Sequence, residues 1–271
     1  MHQDWVVKKC LSALLSQNLG QYVYLAEKNQ QQYALKFLSN KASSAAQQAF
    51  QYEQAQYRRF AGHHFCLDFD IIAKPAEMKL KSEDLLPQPN SAILILPYVK
   101  TISLTECEQL NQDERIVLFE QICSCVSQLH DLGWVHGDLK LQHIAWQKKQ
   151  LKLLDFAQTV PFISSESVQS LITATPAYMA PELFHGESKS IASDIYALGI
   201  LFFELLSGHK PYQASSYLAW AQAHCQQALP LLPKQYEIYQ FILDKMLMKI
   251  KKNRFGDLKS VMIALNLIKK K

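Results

Sequence analysis

Trp134-Val135-His136-Gly137-Asp138-Leu139-Lys140-Leu141-Gln142-His143, then Leu153-Leu154-Asp155-Phe156-Ala157, then Thr175-Pro176-Ala177-Tyr178-Met179-Ala180-Pro181-Glu182, is the ordered set of segments whose reading decides the fold. Asp138 sits in a polar stretch just after an amphipathic run, where a carboxylate held in a loop can accept a proton. Asp155 follows the apolar run Leu151 to Leu154, broken only by Lys152, which reads as a strand. A second carboxylate on a different element from the first is what a bound magnesium ion requires. Upstream, Ile116, Phe119, Ile122, Cys123, Val126 and Leu129 recur at a helical period from Asp113 to Leu132, and Gly133 ends that helix.

The three segments, in this order and at these intervals, resemble the protein-kinase signature H-R-D-L-K-x-x-N, D-F-G and A-P-E. The resemblance covers roughly residues 11 to 265. It implies an α+β, bilobal fold in a single domain over residues 1–271. A small β-rich N-lobe with one helix would span about 11–97, a hinge 98–101, and a larger, mainly helical C-lobe 102–265. It also implies ATP-dependent phosphoryl transfer to Ser/Thr hydroxyls of protein substrates. Asp138 would be the base, and Lys140 would steady the γ-phosphate. Asp155 and the residue at His143 would hold Mg²⁺ or Mn²⁺. Lys140, two residues after the base, and Thr175 in the substrate-facing segment are similar to Ser/Thr rather than Tyr kinases.

Ahead of these motifs, Tyr22 to Ala26 and Tyr33 to Leu38 are β-rich runs separated by the polar stretch Lys28 to Gln32, a hairpin signal. Lys36 lies in Tyr33-Ala34-Leu35-Lys36, which resembles the V-A-I-K strand whose lysine holds the α and β phosphates. The helical stretch from about Ser43 to Phe60 carries one acidic residue, Glu53, at the place of the partner carboxylate. Ala92 to Val99 reads as a buried strand that stops at a proline. By resemblance, Leu96 is the gatekeeper, Pro97 offers its carbonyl and Val99 its N–H to adenine. Leu15, Val23 and Ala34 would lie above the purine and Ala145 below. Farther on, Asp194 would brace the backbone of the Asp138 loop, and Arg254 would pair with Glu182.

Four departures matter. The phosphate-cradling loop aligns from Leu15 to Val23, yet its glycine positions hold Ser16, Asn18 and Gln21. Gly20 stands where an aromatic is usual, so weaker ATP affinity is expected. His143 replaces a metal-binding asparagine. Imidazole favours Mn²⁺ over the harder Mg²⁺, and with an ordinary pKa it would lose its lone pair below about pH 6.5. Ala157 replaces a glycine. Gly137 replaces the arginine that would grip a phosphorylated loop, so control through phosphate on Ser164, Ser165, Ser167, Ser170, Thr173 or Thr175 is not expected.

Two rival readings follow from these departures. One is a pseudokinase serving as a nucleotide-binding scaffold, favoured by the degenerate cradle and Ala157. The other is a lipopolysaccharide-sugar or small-molecule kinase, prompted by His143 and disfavoured by Thr175 to Glu182 and by Asp194.

Composition fits one catalytic domain. The 271 residues are 49% hydrophobic, enough to bury a large core, and the net charge of +4 comes from scattered lysines and a solvated Lys269-Lys270-Lys271 tail. No nucleic-acid partner and no integral membrane segment are expected. The longest apolar run, Ile195 to Leu206, contains Glu204 and falls short of a span of about 20 residues. Cys10, Cys66, Cys107, Cys123, Cys125 and Cys225 show no metal-ligand spacing, and their scatter suits a reducing, cytoplasmic setting. His63 and His64 are read as structural. Sequence leaves the substrate, the upstream signal and the oligomeric state open.

Overall fold

The computed structural model describes residues 5–73, 80–81, 91–162 and 175–269. They form two compact units, residues 1–100 and 101–271, the first rich in strands and the second mainly helical.

The first unit contains β1 (Trp5–Cys10), α1 (Leu14–Asn18), β2 (Gln21–Lys28), β3 (Gln31–Leu38), α2 (Ser44–Arg59), β4 (Asp70–Ile72), β5 (Leu80–Lys81) and β6 (Ile93–Pro97). Its six-stranded sheet has the order β4-β6-β3-β2-β1-β5. The β2–β3 hairpin turns at Asn29 and Gln30, both with positive φ (53° and 61°), the backbone that a tight two-residue turn needs. This fixes the register Val23↔Lys36 and Leu25↔Ala34. Side chains alternate across a pleated strand, so Tyr22, Tyr24, Leu35 and Phe37 share the face opposite Lys36. There Tyr22 and Tyr24 each stack on Phe37 with ring centroids 5.9 Å apart, within a buried cluster that includes Trp5, Leu35, Ile93 and Ile95. Ser43 caps α2 by accepting the Ala46 N–H.

The stretch from Leu15 to Val23, read above as a phosphate-cradling loop, opens on a short helix. The sheet begins at Trp5, ahead of residue 11, and Leu15 lies in the short helix α1 rather than at a strand end. Local bonds explain the helix. Gln17 Nε2 donates to the Ser12 carbonyl (2.8 Å), and Ser12 Oγ accepts the Val23 N–H (2.7 Å). The side chain of Leu15 lies outside the described residues. Gly20, the one glycine of the stretch, has φ +78°, and a Cβ there would stand 2.6 Å from the Ala42 nitrogen, so glycine is required to bring the chain back into β2.

The second unit follows β7 (Lys100–Thr101). It comprises α3 (Leu104–Glu108), α4 (Gln112–Asp131), β8 (Trp134–Val135), β9 (Ile144–Gln147), β10 (Gln150–Leu153), β11 (Val160–Pro161), α5 (Pro181–Phe184), α6 (Ile191–Ser207), α7 (Tyr217–Gln226), α8 (Gln240–Met246) and α9 (Leu258–Lys269). Asn111 and Glu114 close a capping box at the start of α4, as Ser190 and Ser193 do for α6. The apolar stripe of α4 packs on α6, where Phe119 and Phe202 stack at 4.0 Å. Helix α6 is buried along almost its whole length, which is why its sequence is apolar on every face. No helix among the described residues is long and apolar enough to cross a membrane.

Candidate active site

Within the first unit, β3 and α2 bring Lys36 and Glu53 together, with Nζ 2.7 Å from Oε1. The carboxylate is almost wholly buried and the ammonium only partly so. A charge held this far from water needs a cation, which makes Lys36 the natural partner of Glu53. Ala34 faces Leu96 across the β3–β6 pairing, and Tyr33 faces Pro97. Val23, Ala34, Leu96, Pro97 and Val99 are each half-buried.

Within the second unit, β8 leads into the loop 136–143. Its backbone is pinned from below by Asp194 of α6, whose Oδ2 accepts the His136 N–H (2.8 Å) and whose Oδ1 accepts the Gly137 N–H (2.9 Å). His130 Nε2 lies 2.9 Å from the same Oδ2. Burial opposes ionisation of Asp194, yet these donors hold its carboxyl below the ordinary value. His136, fully buried, donates from Nε2 to the Leu154 carbonyl at 3.2 Å and so ties the loop to the strand that delivers Asp155.

Asp138 is engaged on both oxygens. Oδ1 accepts the Thr175 N–H (2.9 Å) and Oδ2 accepts from Lys140 Nζ (3.1 Å), which also donates to Thr175 Oγ1 (2.8 Å). Burial works against its charge, and His143, Lys140 and the Thr175 N–H more than offset it, so the carboxyl lies below its usual value. His143 is itself uncharged near neutrality. Lys140 and Thr175 therefore carry the effect there.

His143 Nδ1 lies 2.9 Å from the Asp138 carbonyl, to which it donates, so Nε2 keeps its lone pair. That nitrogen faces Asp155 Oδ2 at 3.7 Å. Burial pushes the imidazole down to about 4, which corrects the expected loss of ligating power near pH 6.5: the ring stays neutral well below that. Asp155 adopts a left-handed backbone, φ +60°, and its Oδ1 accepts the Ala157 N–H. Phe156–Gln158 forms a 3₁₀ turn in which Ala157 has no positive φ, so a methyl group fits where glycine was expected. Asp155 and His143 suit one divalent ion. Among the described residues no group of three or more His, Cys, Asp or Glu side chains is placed to hold a metal ion, so these two would supply only part of a coordination sphere. Ala145 lies on β9, fully buried, opposite Lys152.

Arg254 meets Glu182 through two bonds of 2.7 Å each, from Nη1 to Oε1 and from Nη2 to Oε2, anchoring α5. Among the hydroxyls named above, Thr175 is placed beside Asp138, whereas Ser164, Ser165, Ser167, Ser170 and Thr173 lie outside the described residues. Sequence reasoning missed Lys189, which stands beside Gly137 and donates to Gln158. Its one signal was a lysine in the polar stretch between Glu182 and Asp194.

A family model described as "Protein kinase domain" matches residues 19–265. Among curated relatives, the probable serine/threonine-protein kinase PknB of Lactococcus lactis is 31% identical over 56% of this chain and 25% of its own length. PknA of Corynebacterium glutamicum is 28% identical over 52% of this chain and 31% of its own. The maternal embryonic leucine zipper kinase of Xenopus tropicalis is 31% identical over 47% of this chain and 21% of its own. The chain thus matches under a third of the length of each.

Proposed function

Because the chain belongs to the protein kinase domain family, we propose that it transfers the γ-phosphate of ATP to Ser/Thr hydroxyls of a protein substrate. The observation that carries this reading is the closed network of Asp138, Lys140 and Thr175. A carboxylate kept ionised beside a lysine can orient a hydroxyl and take its proton, while the lysine neutralises charge that develops on the transferred phosphoryl group. A threonine bonded to both fixes the segment against which a substrate strand would lie.

Lys36, oriented by Glu53, would grip the α and β phosphates. Asp155 and the neutral Nε2 of His143 would hold Mg²⁺ or Mn²⁺, which supplies charge neutralisation across the phosphates. Leu96, Pro97, Val99, Val23, Ala34, Ala145 and Leu15 would serve the adenine. Support for these roles comes from the Lys36–Glu53 pair, the Asp138–Lys140–Thr175 network and the approach of His143 to Asp155.

A second reading has one specific observation in its favour. Helix α1 stands where backbone amides would cradle phosphate, which suits a nucleotide-binding scaffold that transfers slowly or not at all. Incubation with γ-labelled ATP and generic protein substrates, in Mg²⁺ and in Mn²⁺, separates the two. Label on Ser or Thr supports the kinase, and ATP binding without transfer in either metal supports the scaffold.

A further inference from the structure

Gly137 has φ +77°, and a Cβ there would stand 2.5 Å from the Gln158 carbonyl oxygen and 2.6 Å from Lys189 Cδ. No side chain fits, so the arginine that the family resemblance would place here is sterically excluded. The space is filled from elsewhere. Lys189, in the stretch between α5 and α6, runs past Gly137, and its Nζ donates to the Gln158 carbonyl (3.1 Å) and to Gln158 Oε1 (2.6 Å).

Gln158 closes the turn that begins at Asp155. The residues after it are tied to the same loop: Thr159 Oγ1 bonds the His136 carbonyl (3.5 Å), and Val160 pairs with Val135. We infer that Lys189 is a positioning residue, an internal cation that clamps the segment following Asp155 against the loop carrying Asp138, so that this arrangement stands without a phosphate on residues 163–174. The clamp reads a neutral amide and a main-chain carbonyl, both always present, where an arginine cluster would wait for a phosphate. Its ammonium is partly desolvated, with a pKa lowered to about 8 by burial, and is still mostly charged at neutrality beside Asp138 and Asp194. The functional part of this inference rests on the kinase reading, and the structural part does not.

The test uses the full chain, its Lys189→Met and Gln158→Leu variants and the double variant, each with and without phosphatase treatment. Two readouts are taken: hydrogen–deuterium exchange over residues 155–161, and kcat and KM for ATP with a generic protein substrate. The clamp predicts faster exchange over 155–161 in Lys189→Met, and a fall in kcat of about ten- to hundredfold with KM nearly unchanged. Gln158→Leu should move both in the same direction, and the double variant should be less than additive. Phosphatase should alter neither readout in the unsubstituted protein. Unchanged exchange in Lys189→Met, or exchange that rises on phosphatase treatment of the unsubstituted protein, overturns the proposal. If Lys189→Met does not fold, Gln158→Leu decides by the same exchange measurement. A chain that transfers no phosphate refutes the kinase reading alone, because exchange is measured without turnover.

Discussion

The His143 imidazole donates through Nδ1 to the main-chain carbonyl of Asp138 at 2.9 Å, and this single bond turns the lone pair of Nε2 toward Asp155, 3.7 Å away. The tautomer is set by the loop backbone, so the orientation of the Nε2 lone pair is built into the chain.

Metal choice should follow from that bond. The unsubstituted protein should work better with Mn²⁺ than with Mg²⁺, His143→Asn should shift the preference toward Mg²⁺ by supplying an oxygen, and His143→Ala should be worse with both. The check is the Mn²⁺ to Mg²⁺ activity ratio across the three proteins at pH 5.5 and 7.5. Since the ring is held neutral down to about 4, the ratio should be the same at both values. An equal ratio in all three proteins would mean that His143 only braces the loop.

Lys36 and Glu53 should show that stability and catalysis separate. Lys36→Met leaves the buried Glu53 carboxylate without its nearest cation, so Tm should drop, and turnover should drop by about a hundredfold or more. Lys36→Met with Glu53→Gln removes the buried charge and should recover most of the Tm while turnover stays low. Recovery of activity in the double variant would remove Lys36 from the phosphate-binding role.

Breaking the bidentate Arg254–Glu182 pair should be costly. Arg254→Met leaves Glu182 buried and frees the carbonyls of Ala192, Met248 and Lys249, for an expected loss of about 3 to 5 kcal/mol in chemical denaturation. A loss under about 1 kcal/mol would mean that solvent reaches this pair.

Much of this architecture is legible in the chain, and the illegible parts share a cause. The stripe of α4 and the continuous apolar run of α6 announce themselves because local period reports burial on one side or on all sides. Order along the chain pointed to Lys36 with Glu53, which the fold brings to 2.7 Å, and it is also what singles out Asp138 and Asp155 as candidates. Strand β1 was missed because its partner is β2, across a ten-residue connection with no strand or hairpin signal, and α1 because its stabilising bonds come from Ser12 and Gln17, ordinary residues in any loop. Lys189 was invisible for the same reason at longer range. Gln158 is 31 positions away, and neither residue belongs to a motif. At Gly137 the sequence shows only a missing side chain, and the presence of Lys189 in the space beside it is visible only in the fold.

Acid should destabilise the fold through buried histidines. His224 is fully buried, with Nδ1 2.9 Å from the Tyr196 hydroxyl and its ring stacked on Trp220 and Phe184, and burial pushes its pKa down to about 3. The folded value lies below the unfolded one, so its stabilising contribution is complete above about pH 6.5 and is lost as pH falls toward 3, by up to about 1.4 kcal/mol per pH unit. His136 and His143 shift the same way. Thermal melts should show Tm falling between pH 7 and 5, with a shallower slope in His224→Gln. A flat profile over that range would contradict neutral burial.

The most direct test of the central claim is label transfer from γ-labelled ATP to a generic protein substrate by the unsubstituted chain and by Asp138→Asn, with ATP binding measured alongside. The unsubstituted chain should produce phosphoserine or phosphothreonine. Asp138→Asn should lose about 10² to 10⁴ in rate while ATP affinity stays nearly unchanged. Equal transfer by the two proteins, or binding of ATP without transfer in either Mg²⁺ or Mn²⁺, would contradict that claim.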